Sequence, residues 1–275
     1  MRCLFAAVLL VGALQVTLAQ SRSNEPAFDV VSVKLNPDGG RDIGDFPRQF
    51  RFVAGGREFE MIEGAVVALI RYAYPTVSNE VRGAPDWVSS ERYDVRARTV
   101  EQTTLQQRRA MIGALLASRF NFRFHYETVE LPVYRLVRAR ADGPLNPNLK
   151  KSSTDCSALR VARERGEQPA SPPQPGAQLC SMGYGGGSLF ARGIPMADLA
   201  AVISADAGRV VLDATNLEGD FEFLLEWDPL PLADRQTNRT SLFVALEEQL
   251  SLRLQADRAP VRVISVDHIE HPSPD

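Results

Sequence analysis

The chain has 275 residues, a formal charge of −3 and 44 % apolar residues. Mild acidity argues against a nucleic-acid backbone or an anionic membrane surface as the main partner. A chain of this length suffices for one large core or two small ones.

At the N-terminus, Met1, Arg2 and Cys3 precede an apolar run from Leu4 to Leu18, and Thr17 and Ala19 form a small-residue exit. One positive charge, a short apolar stretch and small residues make a cleavable secretory signal over residues 1–19. The run is shorter than the roughly 20 apolar residues a membrane span needs. No later segment is apolar enough, so no span is expected in the mature chain. The expected location is the periplasm or the exterior. Loss of the leader removes Arg2 and leaves the chain one unit more acidic. Of the 31 Lys and Arg only Lys34, Lys150 and Lys151 are lysines, a bias attributed to genome composition.

Residues 20–48 are read as an N-terminal strand, Phe28 to Lys34, and a loop. A first unit then spans 49–140. It opens with a short strand from Phe59 and a helix with Val66, Leu69, Ile70, Ala73 and Tyr74 on one face. A strand pair follows around Gly83–Trp87, its exit strand Arg92–Arg96 alternating apolar and charged residues. Thr104 with Gln107 three residues on predicts a capping box for a helix carrying Ile112, Leu115, Leu116 and Phe120. A strand with Phe122 and Phe124, then Pro132 and a further strand, close the unit.

Residues 141–187 are a Pro/Gly/Ser-rich insert that holds the two cysteines of the mature chain, Cys156 and Cys180. In an oxidising compartment these are expected to pair. A redox pair or a metal site is the alternative, but the spacing is not CxxC and no His lies nearby.

A second unit spans 188–270 and repeats the order of the first. Phe190–Ile194 leads to Pro195 and a helix with Met196, Leu199, Ala200 and Ile203. Val210–Asp213 and Phe221–Leu225 form the strand pair around Asn216 and Gly219. Thr240 or Ser241 caps a helix with Leu242, Leu246 and Leu250, and strands before and after Pro260 end the unit. Residues 271–275 are a tail. The expected class is α+β, with internally duplicated β-α-β-β-α-β-β units whose helices cover one face of mostly antiparallel sheets.

The strings FDVVSVKLNP, RGAPDWVSSERYDVRA, HYETVELPVYRLV, VVLDATNLEGDFEFLLEW and APVRVISVDHIEHPS resemble successive blocks of a large family of secreted soil-bacterial proteins known as a domain of unknown function. The resemblance covers nearly the whole mature chain and implies no activity, cofactor or catalytic residue. Some family members are similar to fusions with membrane metallopeptidase sensors of the beta-lactam-receptor type, which implies a sensory or partner-binding role. Gly64 and Ala65 depart from a usual valine and capping threonine, so the first helix should be poorly capped. Asn216 and Ser251 stand where glycines are usual. Each unit also resembles, more distantly, the secretin and TonB short N-terminal domain, a periplasmic docking fold.

Candidate sites are few. His125 and Glu127 share a strand face with Glu130 nearby, the sharpest metal-ligand pattern available, although no HExxH or second His pair completes it. His268 and His271 lie near the C-terminus. No GxSxG elbow is present, the run Gly183–Gly187 lacks the context of a phosphate loop, and Glu247 and Glu248 lie on the polar side of a helix. Trp87 and Trp227 occupy corresponding regions and read as core plugs or ligand anchors. The leading functional expectation is a binding or docking module for a protein or peptide, without a cofactor. The alternative is a secreted hydrolase using a metal at His125 and Glu127.

Overall fold

The computed structural model describes residues 26–37, 48–53, 56–141, 143–164, 180–229 and 240–273. The expected leader, residues 1–19, lies outside them. In chain order the elements are β1 (Val30–Leu35), β2 (Gln49–Val53), β3 (Glu58–Gly64), α1 (Val66–Ala73), β4 (Val81–Arg82), α2 (Trp87–Ser90), β5 (Tyr93–Arg98), α3 (Leu105–Phe120) and β6 (Arg123–Arg138). They continue with β7 (Lys150–Lys151), α4 (Ser157–Glu164), β8 (Ser181–Gly185), β9 (Ser188–Ile194), α5 (Met196–Ala207), β10 (Val211–Asp213), β11 (Phe221–Glu226), α6 (Leu242–Leu250) and β12 (Leu252–His268). The fold is α+β.

Three four-stranded sheets carry the fold, ordered β1-β5-β3-β2, β10-β6-β12-β4 and β7-β11-β9-β8. The first and third correspond strand for strand, with β1, β5, β3 and β2 matching β7, β11, β9 and β8. The middle sheet reads the same from either end. At its centre β6 and β12 pair antiparallel along nearly their whole lengths, Leu252 opposite Arg138 and His268 opposite Arg123. The short strand β10 joins β6 in parallel and β4 joins β12 in parallel. Each half of the chain therefore lays a strand on the long strand of the other half.

The cores interlock accordingly. One cluster gathers Phe59, Met61, Leu69, Ile70, Val95, Ile112, Leu116 and Phe120 and takes in Ile264 and Ile269 from the end of the chain. The other gathers Leu189, Leu199, Ile203, Phe223, Leu225, Trp227, Leu246 and Leu250 and takes in Leu136 from β6. Each fully buried aliphatic or aromatic side chain contributes about 1.5–3 kcal/mol, so neither long strand leaves its sheet without exposing both cores.

The strand–proline–strand expected at the end of each unit is one continuous strand in both cases. On β6 the main-chain groups of even-numbered residues face β10, as Tyr134 N donating to Val210 O (2.8 Å) and Ala214 N donating to Leu136 O (2.9 Å) demonstrate. Pro132 faces the same side beyond the end of β10, where a missing N–H costs no ladder bond. Pro260 on β12 is placed in the same way beyond β4, which reaches Ile264 through Glu80 O (3.0 Å).

Local signals set the helices. Thr104 and Gln107 form the expected capping box on α3, and Ser241 caps α6. Ala65 gives α1 no side-chain cap, and Pro195 is the N-cap residue of α5 rather than its first turn. Asn216 (φ 54°) and Ser251 (φ 56°) adopt the left-handed conformation that glycine usually fills. The turn around Trp87 holds a helix, α2. The segment 141–187 supplies β7, α4 and β8.

Candidate functional site

The three histidines lie apart, each beside a carboxylate. His125 Nδ1 is 2.8 Å from Asp267 Oδ1, His268 Nε2 is 2.8 Å from Glu270 Oε1, and His271 Nε2 is 3.2 Å from Glu91 Oε1. His125, Glu127 and Glu130 lie on exposed positions of β6. Among the described residues no three His, Cys, Asp or Glu side chains gather in a way that holds a metal ion. The partner of His125 is Asp267 on β12, which its sequence neighbours did not reveal.

The tryptophans differ. Trp227 is 1 % exposed and closes the second core, with its indole N–H 3.4 Å from Asp206 Oδ1. Tyr184 donates its hydroxyl to the other oxygen of Asp206, and burial together with that carboxylate pushes its pKa up to about 12. Trp87 is half-buried and stacks on His271 at 4.2 Å. Tyr93, 1 % exposed, donates to Glu91 Oε2 at 2.7 Å. Burial first, and then Glu91, raise its pKa. The Tyr93–Glu91–His271 chain ties the end of the chain to β5 and α2. Sequence reasoning missed it because its members are spread over 180 positions.

The distinctive surface is the outer face of the third sheet. On the first sheet that face is a charged lattice, in which Glu60 pairs with Arg51 (2.8 Å) and Arg96 (3.4 Å) and Glu58 pairs with Arg98 (3.7 Å). Cross-strand partners share a face. The row Arg51, Glu60, Arg96 corresponds to Gly183, Phe190, Leu224, which are cross-strand partners on β8, β9 and β11. An ion-paired row is thus replaced by an apolar one, with Phe190 46 % and Leu224 52 % exposed. A Cβ at Gly183 would collide with the Phe190 ring, so a larger residue there would displace that ring.

Beside Leu224 the sheet edge is incomplete. Strand β1 covers β5 over six residues, Val30–Leu35 against Tyr93–Arg98. Its counterpart β7 covers only Phe221 and Glu222 of β11. The main-chain groups of even-numbered residues face this edge, as fixed at one end by Ser152 N donating to Asp220 O (2.7 Å). At the other end Gln249 accepts from Glu226 N (3.0 Å) and donates to Glu226 O (2.7 Å). Between them the N–H and C=O of Leu224 face a groove of about 440 Å³ whose lining includes Asn148, Lys150, Arg192, Phe223, Leu224 and Gln249. Among the described residues nothing pairs with them.

The expected disulfide is present and frames this edge. Cys156 and Cys180 are bonded with their Cα atoms 5.7 Å apart, joining the segment after β7 to the residue before β8. It therefore ties together the two edge strands of the third sheet. Gly193 (φ 83°) leaves room for the sulfurs at a bulge in β9. Cys156 N donates to Asp220 Oδ2 (2.8 Å), and Arg160 pairs with Asp220 Oδ1 at 2.8 Å.

Residues 67–269 match the family model described as a protein of unknown function (DUF3738). The chain belongs to that family. No curated protein matches it, and no solved structure matches it. The family match spans both interlocked cores, the disulfide and the groove on β11. No described helix is long and apolar enough to cross a membrane.

Proposed function

We propose that the chain is an extracytoplasmic docking module that recognises a protein or peptide by accepting an extended segment at the incomplete edge of β11. The observation that carries this reading is the uncovered main-chain pair of Leu224 inside a groove, at the place that β1 fills in the corresponding sheet. Strand addition takes affinity from main-chain hydrogen bonds and selectivity from alternate side chains. The apolar row Phe190–Leu224 supplies the second requirement. An edge strand of this kind is otherwise a liability that proteins cover.

The disulfide favours an oxidising location, in accord with the secretory leader read from residues 1–19 and with the periplasm or the exterior. The matching strand orders favour an origin by duplication of one unit, after which one edge stayed filled and the other opened. A sensory role, and kinship with the secretin and TonB docking domain, accord with the same chemistry.

The test is site-specific photo-cross-linking in the native host. A photoreactive side chain at Asn148, on the groove, should give a discrete adduct with a second protein. The same group at Lys34, on the filled edge, should not. Equal adducts at both positions, or none at either, contradict the proposal.

A further inference from the structure

The slot on β11 has two closed ends and a polarity, and these restrict what enters it. Lys150 occupies the place opposite Glu222, and the Gln249 amide occupies the place opposite Glu226. Four residue steps at about 3.3 Å separate these two places by about 13 Å, and because Lys150 N is already joined to the buried Leu149, about two residues fit between them. A segment running through must leave the sheet at both ends, whereas a chain terminus must leave it at one.

The charges select which terminus. Lys150 and Arg192 are exposed, lie on the row of Glu222, and form no ion pair among the described residues. Glu222 Oε1 accepts from Ser152 Oγ at 2.9 Å. A peptide antiparallel to β11 runs from the Glu226 end toward Lys150, so its last residue lies opposite Leu224 with its carboxylate beside Lys150. A parallel peptide would instead set an ammonium there.

We infer that this slot binds the free C-terminus of an extended protein chain, antiparallel to β11, with the terminal carboxylate held by Lys150. This rests on the docking reading above and adds the chemistry of the partner. The last residue donates its N–H to Leu224 O and accepts from Leu224 N with one carboxylate oxygen. Its side chain shares the outer face with Leu224 and Phe190, so an apolar residue is preferred there. Charge-assisted hydrogen bonds to the carboxylate supply the selectivity for a chain end.

The experiment uses N-acetylated hexapeptides with Leu, Val, Ser or Asp at the last position, each as free acid and as carboxamide. They are titrated into the isotopically labelled full chain. The free acids with Leu or Val should bind about tenfold or more tightly than their carboxamides, with the Leu224 amide resonance shifting. Lys150→Ala, an exposed change, should abolish the acid preference without altering the fold. Equal binding of acid and carboxamide, persistence of the preference in Lys150→Ala, or binding that leaves the Leu224 amide unmoved overturns the inference, as does no binding by any peptide. If adducts from Asn148 persist after such an outcome, the docking reading stands and only the terminus is wrong.

Discussion

Gln249 grips Glu226 with both arms of its side-chain amide, accepting from the main-chain N–H at 3.0 Å and donating to the C=O at 2.7 Å. The side chain takes the place of a strand's peptide group on β11. At the corresponding position of α3, Arg119 Nη2 donates to Val31 O at 3.0 Å, reaching a real strand, β1. The two halves thus close the same edge by different means. Gln249→Ala should remove the amide's two hydrogen bonds to the Glu226 main chain and cost about 1–2 kcal/mol. Urea unfolding should report this as a lower midpoint with an unchanged slope. An unchanged midpoint would mean that the amide grip contributes nothing.

The apolar row on the outer face is tested by rebuilding the charged one. Phe190→Glu with Leu224→Arg copies the Glu60–Arg96 pair. Both positions are about half-exposed, so stability should change by no more than about 0.5 kcal/mol. Peptide binding in the groove should fall sharply. Retention of binding by this folded variant would remove Phe190 and Leu224 from the recognition surface.

Replacing both Cys156 and Cys180 by Ser opens a loop whose ends are 24 positions apart. Chain-entropy reasoning sets the expected loss at about 3 kcal/mol, read from urea unfolding. The loss should be accompanied by faster amide exchange in β7 and β8, the two strands that the bridge ties. Exchange confined to other parts of the chain would show that the bridge does not frame the slot.

Alkaline titration follows from Tyr184. Burial, and then its hydrogen bond to Asp206 and the charge of that carboxylate, hold its pKa near about 12, against 10.0 for an ordinary tyrosine. The folded state keeps this proton more tightly than the unfolded chain. The contribution is therefore fully present below about pH 10 and fades as pH rises toward about 12. The tyrosinate absorbance lost in Tyr184→Phe should titrate near pH 12 in the parent chain and lower in Asp206→Asn. Titration near pH 10 in the parent would break the Tyr184–Asp206 link.

Much of the fold was legible because its signals are local. Thr104 with Gln107, Ser241, Asn216 and the apolar spacing of α1, α3, α5 and α6 act within a few residues, and the structure places each accordingly. Pro132 and Pro260 misled because a proline ends a strand only where its N–H is needed, and that depends on how far β10 and β4 reach. The crossing of β4 and β10 onto the other half's long strand is equally non-local. The histidines drew attention as rare residues, yet each meets its carboxylate singly. The groove escaped notice because a missing neighbour leaves no mark on β11 itself. Its sequence, Phe221–Glu226, keeps the inward-facing apolar positions of β5, with Leu224 in place of Arg96 on the outer face, and the open edge follows from the two-residue length of β7, which lies elsewhere in the chain.

The most direct measurement is native amide hydrogen exchange at two corresponding residues, Leu224 and Arg96, in the absence of any partner. Arg96 pairs with Ser32 of β1, whereas Leu224 faces the groove. The Arg96 amide should be strongly protected, and the Leu224 amide should exchange orders of magnitude faster and slow when a peptide occupies the slot. Protection of Leu224 equal to that of Arg96 in the partner-free protein would mean that the edge is already filled and that β11 has no open slot.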